Sequence, residues 1–113
     1  MKTIIDAIKN KQMLVVVYKG LPRIIEPHIV GTAANGNEYV RGFQIGGTSC
    51  TDGYGWKIMN TEKIQMASLL PNQFFPHARK DFTRNDPIIT TAYATVWTKN
   101  NQTTKQPKKE KLW

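Results

Sequence analysis

Asn35-Gly36-Asn37 lies between two apolar, β-branched runs, and no other feature of this 113-residue chain narrows its fold as much. Asn and Gly tolerate positive φ at little cost, so the tripeptide predicts a tight β-hairpin. After it, residues 38–45 (EYVRGFQI) alternate: Tyr39, Arg41, Phe43 and Ile45 share one face of a strand, and Val40, Gly42 and Gln44 the other. Before it, residues 23–31 (RIIEPHIVG) predict a second strand. Pro27 has no N–H to give a ladder, so it predicts an edge position or a bulge there.

The remaining signals are also short. Residues 13–19 (MLVVVYK) suit a buried strand, broken by Gly20-Leu21-Pro22. Residues 56–60 and 63–70 predict a fourth and a fifth strand, with a turn marked by Pro71 and Pro76. Thr3 with Asp6 three residues later predicts a helix start, and Ile4, Ile5 and Ile8 then form one face that covers an end of the core. Residues 77–95 read two ways: Asp86-Pro87 suits a helix start, whereas IITTAYATVW has strong strand propensity. Five short strands, tight turns and one small helix predict a mainly β fold, a small five-stranded barrel over residues 1–70. Residues 71–97 are expected to pack on the barrel as a C-terminal extension, and the polar composition of residues 98–113 predicts a disordered basic tail.

The length allows one domain and one core. A single cysteine, Cys50, excludes an internal disulfide and fits a reducing, cytoplasmic compartment. No apolar run reaches the roughly 18 residues of a membrane span, and Asp6 and Lys9 interrupt the N-terminal segment where a signal peptide needs a continuous apolar core. The net charge is +8, and half of it lies in residues 98–113, where five lysines face one glutamate. Such a balance attracts phosphates at long range; solubility alone explains the tail as well.

The order of these signals through residues 4–70 resembles the WYL domain, a small barrel of the Sm-like or SH3-like type. A short helix ending in Ala7-Ile8 leads into a strand ending in Tyr18. Arg23-Ile24-Ile25-Glu26-Pro27-His28 is similar to the family's basic-apolar-Pro segment. The hairpin is followed by Tyr39-Val40-Arg41-Gly42-Phe43, where the tripeptide that names the family reads Glu38-Tyr39-Val40. Trp56-Lys57-Ile58-Met59 resembles the strand that carries a basic residue and an aromatic, and Lys63-Ile64 closes the pattern. The resemblance implies a regulatory sensor of oligonucleotides or nucleotide-like ligands, and a stand-alone copy fits an accessory or phage-encoded protein.

Nucleotide binding needs positive charge for phosphate and flat groups for stacking. Tyr18, Arg23, His28, Tyr39, Arg41, Gln44, Trp56 and Lys57 supply both, and only a barrel brings them together. Arg41 stands out, since a guanidinium between Tyr39 and Phe43 suits stacking or a phosphate fork; it equally suits an arginine lying over an exposed sheet face. His28 and Gln44 read as phosphate or base contacts or as ordinary strand residues. Trp56 and Tyr18 read as stacking platforms or as core. Thr48-Ser49-Cys50-Thr51, in a stretch with four glycines in ten residues, reads as an anion nest or a solvated loop.

Enzyme signals are sparse. The only histidines are His28 and His77, no zinc spacing and no P-loop are present, and no cofactor is expected. Three readings remain. One is a non-catalytic module for nucleic acid or nucleotides, with no membrane partner. Another is a protein-interaction or structural module that assembles, also with itself, through strand edges. The third is a small nuclease holding Mg²⁺ on Asp81 and Asp86 beside His77.

Overall fold

The computed structural model describes residues 1–48, 53–83 and 85–96; the predicted tail, with Ser49, Cys50 and Thr51 of the nest or loop reading, lies outside these residues. The chain runs α1 (Lys2–Asn10), β1 (Gln12–Tyr18), β2 (Leu21–Ala33), β3 (Glu38–Gly47), β4 (Gly55–Asn60), a 3-10 turn η1 (Thr61–Lys63), β5 (Ile64–Phe74) and β6 (Ile89–Thr95). The mainly β reading with one N-terminal helix therefore holds. Among the described residues no helix is long and apolar enough to cross a membrane.

The helix starts earlier than Thr3. Met1 occupies the N-cap without a side-chain cap, and Asp6 instead pairs with Lys2 one turn back at 2.8 Å. Its buried residues are Ile4, Ala7 and Ile8, with Ile5 packed partly against the core. Lys11, in the left-handed region at φ 52°, ends the helix by donating its N–H to Ala7 and Ile8 carbonyls. The β1–β2 link is a two-residue loop, Lys19-Gly20, with both φ values positive at 53° and 78°, the turn whose twist suits a hairpin.

The strands pair in the order β4-β3-β2-β1-β5, all antiparallel. The outermost strands, β4 and β5, do not pair with each other, yet η1 alone joins them. Laid flat, five strands would hold their edges about 19 Å apart. Four peptide steps from Asn60 to Ile64 reach at most about 14 Å. The sheet must therefore roll up at this corner, although no ladder closes it. The Tyr18 hydroxyl, at the end of β1, helps to hold the roll by accepting from the Asn60 N–H at 3.4 Å.

β2 is the spine. Its first half, through Ile25, pairs with β1; its second half, from Ile29, pairs with β6; β3 runs along the other edge of both. Pro27 stands where β1 gives way to β6, at a register shift opposite β3, which is the bulge its missing N–H predicts. Gly31 admits β6, since a Cβ there would lie 2.0 Å from the Thr91 carbonyl oxygen.

Two expectations change. β5 does not stop before Pro71 but continues to Phe74, with residues 70–73 bulged away from β1 and Asn72 at φ 62°. Pro71 is tolerated because β5 is an edge strand. Asp86-Pro87 starts no helix: the Asp86 carboxylate accepts from the Ile88 and Ile89 N–H groups and turns the chain into β6, the sixth strand.

Candidate phosphate site and a covered face

Strand register divides the predicted site residues between two sides of the sheet. Leu14, Val16, Ile25, Val40 and Met59 fill the inside of the roll. Tyr18, Arg23, Gln44 and Lys57 fall on that same side, because residues two apart on a strand share a face. Arg41, Phe43 and Trp56 point to the outside, and Tyr39 shares their side at the far end, opposite Asn60.

The outer side is covered by the chain itself. Phe75, Ala78 and Phe82 are buried against it. His28 sits in the Pro27 bulge with no solvent exposure, stacked on Phe75 at 5.3 Å, tilted against Phe82 at 5.1 Å and edge-on to Trp56 at 4.9 Å. Its Nε2 accepts the Arg79 N–H at 3.1 Å, which leaves Nδ1 to donate to the Glu26 carbonyl at 2.8 Å. Burial holds the pKa of His28 below the ordinary value, and the Arg79 charge adds to this against the pull of Glu26 and Asp81. Both ring nitrogens are thus spent inside the fold, and His28 is a core residue rather than a phosphate donor.

Arg41 is likewise engaged. Its Nε bonds Asp86 Oδ2, and its Nη2 donates to Oδ1 at 3.2 Å. Burial opposes the charge on Asp86, but the guanidinium and the Ile88 and Ile89 N–H groups outweigh it and hold the carboxyl below its usual range. Trp56 donates its indole N–H to Asp81 at 2.8 Å. Arg79 bonds Glu26 at 2.8 Å and lies over the Phe43 ring at 3.9 Å. A cleft of about 280 Å³ remains between Arg41, Trp56, Asp81, Phe82, Asp86 and Pro87. Two carboxylates line it, which suits no phosphate. Asp81 and Asp86 are spent on Trp56 and Arg41, and among the described residues no three His, Cys, Asp or Glu side chains group as metal ligands.

The inner side differs. Arg23 is 6% exposed, and its Nε is buried with no hydrogen-bond partner. The Tyr18 ring lies 5.2 Å from its guanidinium carbon, with the exposed Lys19 amine 5.5 Å from the same ring. Gln44, fully buried, donates its amide to the Gly46 and Thr48 carbonyls at 2.9 and 3.2 Å, yet its Oε1 has no partner. These groups meet where β2 begins and β3 ends: Arg23 pairs with Gly47, and the Thr48 N–H donates to the Pro22 carbonyl at 2.7 Å. Gly47 is required there, with φ 83° and a hypothetical Cβ only 2.4 Å from the Pro22 carbonyl oxygen. Tyr54 closes the group by donating its hydroxyl to the Gly47 carbonyl at 3.0 Å.

An unsatisfied donor on a cation and an unsatisfied acceptor, both buried, are expensive in a stable fold. Sequence reasoning singles out Arg23 and Gln44 but not their isolation; it reads Asp81 and Asp86 as metal ligands rather than as partners of Trp56 and Arg41, and it passes over Tyr54, Arg79, Phe75 and Phe82. Comparison with protein-family models, curated proteins and solved structures finds no match for this chain.

Proposed function

We propose that the chain is a non-catalytic module that binds the phosphate of a nucleotide or an oligonucleotide at the end of the roll where Tyr18, Arg23 and Gln44 lie. One observation carries this reading: Arg23 is 6% exposed, its Nε is buried without a hydrogen-bond partner, and no described carboxylate pairs with it. Burying an unpaired charge costs several kcal/mol, and an arriving phosphate oxygen repays it. The chain's net charge of +8 favours the encounter. The resemblance to the WYL domain points to the same ligands, and the rolled sheet with its short N-terminal helix is compatible with a barrel of that type.

Fluorescence titration with a labelled oligothymidylate tests the reading. Arg23→Met is expected to weaken binding at least tenfold, the scale of about 1.5–3 kcal/mol for a hydrogen bond to a charged group. Arg41→Met, where the charge already has a partner, is expected to bind as the parent does. Equal losses in both variants would count against the site. The second reading, assembly through strand edges, draws on β5, whose eleven residues carry no charged side chain and pair only with β1. Sedimentation of the free protein separates the two: a stable oligomer that ignores oligonucleotide favours assembly.

A further inference from the structure

We infer that Tyr54 is the stacking platform for the base that accompanies the phosphate, so that the module takes a nucleotide unit rather than a bare anion. The inference rests on the phosphate reading of Arg23 and adds to it the part of the ligand that phosphate chemistry leaves open.

The inside of the roll leaves no room for a base. Beyond Arg23 it is filled by Leu14, Val16, Ile25, Val40 and Met59, each no more than 1% exposed. Any ring attached to a phosphate at Arg23 must therefore stay outside the mouth. The aromatic groups of the outer face are turned away from that mouth and are in use, since Phe43, Trp56 and Phe82 pack on one another or on His28. Tyr54 is different. Its side chain belongs to a residue 57% exposed, one of the largest exposed apolar groups of the molecule. It is nonetheless tied down, because its hydroxyl donates to the Gly47 carbonyl, and Gly47 is the residue that pairs with Arg23. An exposed aromatic ring held by its polar end presents its face at low entropic cost, which is what stacking on a base requires. The ring and the unpartnered guanidinium are thus anchored on two adjacent strands through one glycine, where a phosphate and its own base can reach them together.

The test compares two strands of equal length and charge, an oligothymidylate and its abasic counterpart, against the parent protein, Tyr54→Phe, Tyr54→Ala and Arg23→Met. The parent is expected to prefer the thymidylate about tenfold, the scale of one stacked base. Tyr54→Phe keeps the ring but loses its tie to Gly47, and should show a preference between those of the parent and Tyr54→Ala. Tyr54→Ala should bring the preference close to one while leaving affinity for the abasic strand near the parent's. Arg23→Met should weaken both strands alike. A preference that survives Tyr54→Ala overturns the inference and leaves the Arg23 site standing. Equal loss of both strands in Tyr54→Ala also overturns it, because the ring would then only hold the Gly47 segment. Failure of the parent to bind either strand, or an Arg23→Met variant that binds both as the parent does, overturns the phosphate reading and this inference with it.

Discussion

The two sides of the rolled sheet handle charge in opposite ways. On the outer face charges are paired: Arg41 meets Asp86, Arg79 meets Glu26, and the neutral ring of His28 has both nitrogens bonded. On the inner face Arg23 Nε and the Gln44 side-chain carbonyl have no partner among the described residues. The difference lies in what covers each region. Phe75, Ala78, Phe82 and Asp86 of the same chain finish the outer face, whereas no described residue supplies Arg23 with an acid. Residues that look alike in the sequence, two arginines on adjacent strands, therefore sit differently: Arg41 fastens a covering segment, whereas Arg23 has no acid beside it among the described residues, the basis of the proposed phosphate site.

If the outer cover is part of the core, its loss should be costly. Phe82→Ala is expected to lower stability by about 3–5 kcal/mol in urea unfolding, the usual range for a buried phenylalanine. A change below about 1 kcal/mol would make the segment a loose appendage and remove the contrast between the faces. Asp86→Ala should cost somewhat less, about 2–4 kcal/mol. It leaves the Arg41 guanidinium, only 21% exposed, without its carboxylate and frees the N–H groups of Ile88 and Ile89. Oligonucleotide affinity should survive this change in the fraction that stays folded.

Acid gives a gentler probe of the same cover. His28 has a folded pKa below the 6.5 of a free imidazole, so the unfolded chain takes up its proton first. Its contribution is complete above pH 6.5 and is lost as the pH falls through that value towards the folded pKa. The slope is at most about 1.4 kcal/mol per pH unit for one proton. Asp86 adds a second loss only below the ordinary carboxyl value of 3.8, since its folded pKa is also depressed. Urea midpoints measured between pH 7 and 5 should fall for the parent and stay flatter for His28→Gln. Parallel curves would place the titrating group elsewhere.

Local features were legible in the sequence, and distant pairings were not. The Asn35-Gly36 hairpin, the Pro27 bulge and the alternation of β3 depend on residues within a few positions of each other, and the fold agrees with them. The division of β3 into a Gln44 side and an Arg41 side followed from the same alternation. What covers the Arg41 side did not, because Asp86 lies 45 residues away and an Asp-Pro pair suits a helix start as well as a strand entry. Pro71 misled for a related reason: it ends a central strand but not an edge strand, and edge status is a property of the sheet. Arg23 was visible as a cation. Its want of an acid among the described residues is a three-dimensional fact that no spacing in the sequence announces.

The contrast between a finished face and an unfinished one makes its sharpest claim about Arg23 itself. A charge kept for a ligand should be a burden to the empty protein, as sites built for binding often are. Thermal melting of ligand-free Arg23→Met beside the parent measures this directly. The account predicts a melting temperature raised by a few degrees, corresponding to about 1 kcal/mol gained on replacing a buried unpaired charge by an apolar chain of similar length. A clear drop would contradict it, for Arg23 would then be stabilising the fold through its contact with Tyr18.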